Sequence, residues 1–202
     1  MSGIIHTAGT CLGFSDPYVA FMKNAYLFLI LFALGCTTTK MPPTPSQDFF
    51  GRLSTLCNQA YEGKVVFPEG GKDPFGGKAL VMRVQSCSPT EIRVPFQVGE
   101  DKSRTWVFTK SDQGLLLKHD HRHPDGTPDS VTMYGGYAKA GSTLYSQSFP
   151  ADDYTAKLIP AAATNEWSTV LSEDRKTFSY ILKRDGQLRF QADFDLTKPL
   201  SQ

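Results

Sequence analysis

Between residues 64 and 196 the chain is cut into short runs by turn-forming residues, and this punctuation leaves few folds open. The runs span residues 64–67, 79–87, 91–98, 104–110, 115–123, 130–139, 143–149, 166–171, 176–183 and 187–196. Between them lie GGKDPFGG, SP, GEDKS, SDQG, PDGTPD and KAGS, and Asp185-Gly186 is a strong hairpin signal. Several runs alternate: Ile92, Val94, Phe96 and Val98 oppose Glu91, Arg93 and Gln97, and Leu188, Phe190, Ala192 and Phe194 oppose Gln187, Arg189, Gln191 and Asp193. Side chains alternate faces along a strand, so each such run has one apolar face. The pattern predicts a mainly β fold, an antiparallel up-and-down, barrel-like meander of about 8–10 strands. Closure into a barrel disposes of the free edges.

Helical spacing occurs in two places. Ser46 can cap a helix with Asp48 in its first turn, and Phe49, Phe50, Leu53, Leu56, Cys57 and Ala60 recur on one face. Residues 152–165, DDYTAKLIPAAATN, predict a short helix ended by Pro160 and then a loop. The whole stretch 48–202 reads as one β-barrel-like domain. An N-terminal helix followed by eight to ten up-and-down strands is similar to the calycin group, the lipocalins and fatty-acid-binding proteins, over residues 48–196 and in element order only. The lipocalin Gly-x-Trp signature is absent: Tyr61-Glu62-Gly63-Lys64-Val65 stands at the first strand. The resemblance implies a small molecule held inside the barrel.

The unusual chemistry lies in residues 114–129, GLLLKHDHRHPDGTPD. His119, His121 and His123 share the parity of Leu115 and Leu117, while Lys118, Asp120 and Arg122 take the other face. Three imidazoles are therefore expected to point inward behind two leucines. Alternate residues on a strand stand about 6.6 Å apart, whereas two nitrogens on one zinc sit near ~3.4 Å from each other. His119 and His121 can lean together as a His-x-His metal pair. Bringing in His123 needs a twist or bulge, which Pro124 permits, with Asp125 or Asp129 offering oxygen. The plainer alternative packs the rings inside or at the rim of the barrel, hydrogen-bonded to tyrosines or carboxylates.

Tyr134-Gly135-Gly136-Tyr137 follows. Paired glycines in a strand mark either a barrel corner or the close approach of another group, here a ligand. The candidate ligand-binding set is His119, His121, His123, Met133 and Tyr134, while Trp106, Phe108, Tyr180 and Phe190 read as core.

Catalysis has little support. Parity turns Asp120 away from the histidines, no Gly-x-Ser-x-Gly elbow is present, and Gly70-Gly71 and Gly76-Gly77 flank a turn instead of opening a helix. No cofactor is expected, a metal excepted. A formal net charge of +1 without clustered Lys or Arg gives no electrostatic case for nucleic acid.

The N-terminus reads as an address. Lys23 and Asn24 precede the apolar run 25–34, AYLFLILFAL, which has the length of a signal-peptide core and is too short to span a bilayer. It leads into Ala33-Leu34-Gly35-Cys36, which resembles the lipobox of bacterial lipoproteins. The resemblance implies cleavage before Cys36 and a lipid on that cysteine. With Thr37 and not aspartate next, it also implies an anchor in the outer membrane, facing the periplasm. An ordinary cleaved signal with an incidental cysteine is the other reading. Residues 22–36 form the signal, and residues 37–47, TTTKMPPTPSQ, read as an extended tether. Residues 1–21 lack the basic start of a signal and are taken as a mis-assigned upstream start before Met22.

With Cys11 upstream and Cys36 lipidated, Cys57 and Cys87 remain, and an even pair in an oxidising compartment favours a disulfide. Two separate buried thiols are the alternative. Three functions follow: binding of a small, partly apolar ligand in the barrel, metal binding or sensing through the histidines, or a structural role with a solid barrel.

Overall fold

The computed structural model describes residues 44–68, 74–75 and 77–201. The upstream stretch, the signal with Cys36 and the tether up to residue 43 lie outside the described residues. All the described residues belong to one compact unit, Met41–Gln202.

The elements run α1 (Pro45–Ser54), β1 (Gln59–Phe67), β2 (Leu80–Val84), β3 (Glu91–Val98), β4 (Asp101–Ser111), β5 (Gly114–His121), β6 (Tyr134–Tyr137), β7 (Ser146–Pro150), α2 (Asp153–Leu158), a 3-10 turn (Pro160–Ala162), β8 (Asn165–Leu171), β9 (Thr177–Arg184) and β10 (Gln187–Pro199). The ten strands form one antiparallel sheet in the order β6-β5-β4-β3-β2-β1-β10-β9-β8-β7. Every strand pairs with its neighbours in sequence except β6 and β7, and in addition the first strand pairs with the last. That pairing curls the meander into a nearly closed barrel, as the alternation predicts.

The remaining seam lies between β6 and β7, and side chains and loop backbone stitch it. Lys139 N–H donates to Ser148 O (2.8 Å) and Asp152 N–H to Gly135 O (2.9 Å). The Thr155 hydroxyl accepts from Gly135 N (2.7 Å) and donates to Gly135 O (2.9 Å). The paired glycines are what let the backbones meet. A Cβ on Gly136 would stand 1.9 Å from the Pro150 carbonyl oxygen, and one on Gly135 would stand 2.0 Å from that of Leu117. What approaches this dipeptide is the protein's own backbone, that of Leu117 and Pro150.

Local boundaries depart from the sequence in several places. Pro45 takes the first helical position, where its missing N–H costs nothing, and Thr44 O accepts the first helical bond from Asp48 N. Ser46 is therefore inside the helix and not its cap; its hydroxyl donates to Gln147 Oε1. The helix stops at Ser54, a turn follows, and Asn58 at φ 64° redirects the chain, so Ala60 lies on β1 and not on the helix. The strand expected over 130–139 shrinks to four residues. Thr132 Oγ1 takes the His121 N–H that a strand carbonyl would have taken, and Asp129 Oδ1 holds Val131 N–H in a turn. The Asp185-Gly186 hairpin forms as expected, with positive φ at both residues (53° and 72°).

Inside the barrel, Phe96, Trp106 and Tyr180 stack, with ring centroids 4.7 Å and 4.5 Å from the central indole. Helix α1 covers the end that carries the β4–β5 turn. Phe49, Phe50 and Leu53 are buried, Phe49 lies 6.4 Å from Phe108, and the Lys110 ammonium sits 5.1 Å over the Phe50 ring. Each of these three apolar side chains contributes about 1.5–3 kcal/mol by burial. The Cys57–Cys87 disulfide forms, Cα to Cα 6.2 Å, and ties the turn after α1 to the connection between β2 and β3.

Candidate functional site

The inward rows of four strands change character along the barrel. On β5 the row is Leu115, Leu117, His119, His121; on β9 it is Phe178, Tyr180, Leu182, Arg184. Cross-strand register sets Phe108 opposite Leu117, Trp106 opposite His119, and Arg104 opposite His121. On the far wall Asn165 stands opposite Arg184 and Trp167 opposite Leu182. Each row starts apolar over α1 and ends polar at the other end of the barrel. A cavity of about 410 Å3 opens there, walled mainly by aromatic and aliphatic side chains and reaching His119 and His121.

His119 is buried and both its nitrogens are engaged. Nδ1 lies 3.1 Å from the Tyr134 carbonyl oxygen, which can only accept, so Nδ1 carries the proton. Nε2 then accepts from the Tyr180 hydroxyl at 2.8 Å. The ring stacks on Tyr134 at 4.7 Å and meets Trp167 at 5.0 Å. Burial, the largest cause, pushes its pKa down to about 3, so this imidazole is neutral at physiological pH.

His121 is half-buried, and its Nε2 lies 3.0 Å from the Tyr134 hydroxyl. Burial first, then the charge of Arg104, lowers its pKa. Burial pushes the Tyr134 phenol up to about 12 and raises Tyr180 as well. The result is a neutral imidazole–phenol network. It can fix a polar group by hydrogen bonds.

Of the five sequence candidates, His119, His121 and Tyr134 come together on the cavity wall. His123 and Met133 do not. The strand ends at His121, and His123 is exposed in a turn, its N–H donating to Thr127 O. Parity has no force once the backbone leaves the sheet, so the inward row is two imidazoles long. Met133 is exposed at φ 57° and off the cavity wall, its N–H donating to His119 O at 2.6 Å. Asp120 faces away from the histidines, as parity requires. It is nevertheless buried, closed over by Arg93, Arg122 and Thr132.

Among the described residues no group of three or more His, Cys, Asp or Glu side chains is placed to hold a metal ion. A metal on His119 would have to displace either the Tyr180 hydroxyl or the Tyr134 carbonyl.

Among the wall residues that the sequence does not mark as site residues are Arg104, Asn165, Trp167, Tyr180 and Arg184. Arg104 and Arg184 left a signal. Each is a charge in the apolar phase of its strand, Arg104 two residues before Trp106 and Arg184 two residues after Leu182. Ile159 and Ala162, which reach the wall from the segment after α2, left none.

Compared with known proteins, the chain matches no family model and no curated protein.

Proposed function

We propose that this protein binds a small, partly apolar molecule inside its barrel and does not transform it. In this reading it works at the outer membrane, facing the periplasm, held there by lipid on Cys36. The observation that carries the reading is the cavity of about 410 Å3 that reaches His119 and His121. That volume lies in the ordinary range for small-molecule sites, roughly 300–1,000 Å3. A chiefly apolar wall with a few fixed polar groups is the composition such sites have. The neutral His119–Tyr180 and His121–Tyr134 pairs supply hydrogen bonding without a charge to be matched.

Native mass spectrometry of gently purified protein tests the binding. A co-purifying mass that disappears in Ala162→Phe, which fills the cavity from its rim, supports the reading. A mass retained unchanged in that variant places binding elsewhere and defeats it. Metabolic labelling with a fatty acid tests the anchor, which predicts label on the wild type and none on Cys36→Ser.

A further inference from the structure

The cavity wall carries guanidinium groups beside its histidines. His119 and His121 are held neutral by burial, so the cationic groups on the wall are Arg104 and Arg184. Arg104 is already answered, its Nη1 lying 2.6 Å from Asp101 Oδ2. Arg184 is not. Its Nε donates to Asn165 Oδ1 at 2.8 Å, and Asn165 is itself buried on the neighbouring strand. Among the described residues Arg184 makes no ion pair. Asp185, next in the chain, turns outward and accepts from the Thr164 hydroxyl. Asp129 is the one carboxylate on the wall, and its Oδ1 is occupied by Val131 N–H and the Ser130 hydroxyl.

A half-buried guanidinium is costly unless it is paired, and its flat fork matches a carboxylate or sulfonate by two parallel bonds. Asn165 fixes one edge of that fork and leaves the Nη groups for an incoming partner. We infer that the ligand is an amphipathic monoanion, its apolar body among the aromatic rings and its acidic group on Arg184. The inference rests on the cavity reading above and names the ligand class for it.

Two probes of one skeleton separate the possibilities: anilinonaphthalene sulfonate, an anion, and N-phenylnaphthylamine, which is uncharged. The chain's two tryptophans, Trp106 and Trp167, both line the cavity, so energy transfer from tryptophan to probe reports occupancy there. Measured on the full chain in non-ionic detergent, the sulfonate is expected to bind at least about tenfold tighter than the amine, a difference of roughly 1.4 kcal/mol. Arg184→Gln is expected to erase that preference and leave amine binding within about twofold of the wild type. Equal affinities in the wild type overturn the inference while leaving the cavity reading intact. A sulfonate affinity unchanged in Arg184→Gln does the same. If neither probe takes up energy from tryptophan, both fall. Should Arg184→Gln lose the amine as well, the barrel itself is damaged, and the wild-type comparison decides alone.

Discussion

Acidification should weaken this fold through one side chain, and the size of the effect can be worked out in advance. His119 has a folded-state pKa of about 3 against an ordinary value of 6.5 because burial strips its charged form of water. The folded-state value is the lower, so the unfolded chain takes up the proton first as pH falls. Stability that is complete above about pH 6.5 is therefore lost progressively down to about pH 3. Each pH unit inside that window costs about 1.4 kcal/mol, so a step from pH 7 to pH 5 should remove about 2 kcal/mol through His119 alone. Urea denaturation followed by tryptophan fluorescence measures the loss in the wild type and in His119→Asn, which cannot titrate. Asn is less stable at every pH, having lost the bond to Tyr180, so the readout is the difference in pH dependence and not the stability itself. Carboxylates and His121 titrate in both proteins and cancel. The wild type should lose about 2 kcal/mol more than the variant over this interval. Equal losses would show that His119 is charged in the folded state or reached by water, and the neutral network at the cavity wall would be refuted.

Three further outcomes test separate parts of the structure. Gly136→Ala places a methyl on the Pro150 carbonyl and should cost about 1–3 kcal/mol or more by forcing the seam apart; a melting temperature within a degree of wild type would contradict that contact. Opening the Cys57–Cys87 bridge, which spans 30 residues, should cost roughly 3–4 kcal/mol in the chain-entropy model, and a Cys57→Ser/Cys87→Ser protein with an unmoved urea midpoint would count against it. Zinc should form no stoichiometric complex of submicromolar affinity, since ligation by His119 breaks its bond to Tyr180 or Tyr134. Tight zinc binding that vanishes in His119→Ala/His121→Ala would reverse this reading.

What could be read in advance depended on whether a residue answers to a local rule. Strand alternation and turn chemistry are local, so the ten-stranded meander, the Asp185-Gly186 hairpin and the inward course of Leu115, Leu117, His119 and His121 were legible. His123 was misplaced because alternation was carried past the point where the ladder stops. The hydrogen bonds from His121 N to Thr132 and from Asp129 N to His121 O show where that is. Ala60 was misplaced for a related reason: nothing in an apolar run says where helix yields to strand, and here Asn58 decides. The rest of the cavity wall is assembled across strands far apart in sequence. That Trp106 should stand opposite His119, with Tyr180 reaching the same imidazole from across the barrel, is a matter of register and closure. Arg184 is the instructive miss. Its parity with Phe178, Tyr180 and Leu182 is visible, yet that it makes no ion pair among the described residues cannot be recognised before the neighbours are in place.

Helix α1 turns the barrel into a vessel and not a conduit. With Phe49 and Leu53 buried in the floor, a ligand of the kind proposed above would have to leave by the rim it came through. Residence time then depends on the loops and side chains around that rim, and adjusting them would alter the rate of exchange without touching the floor.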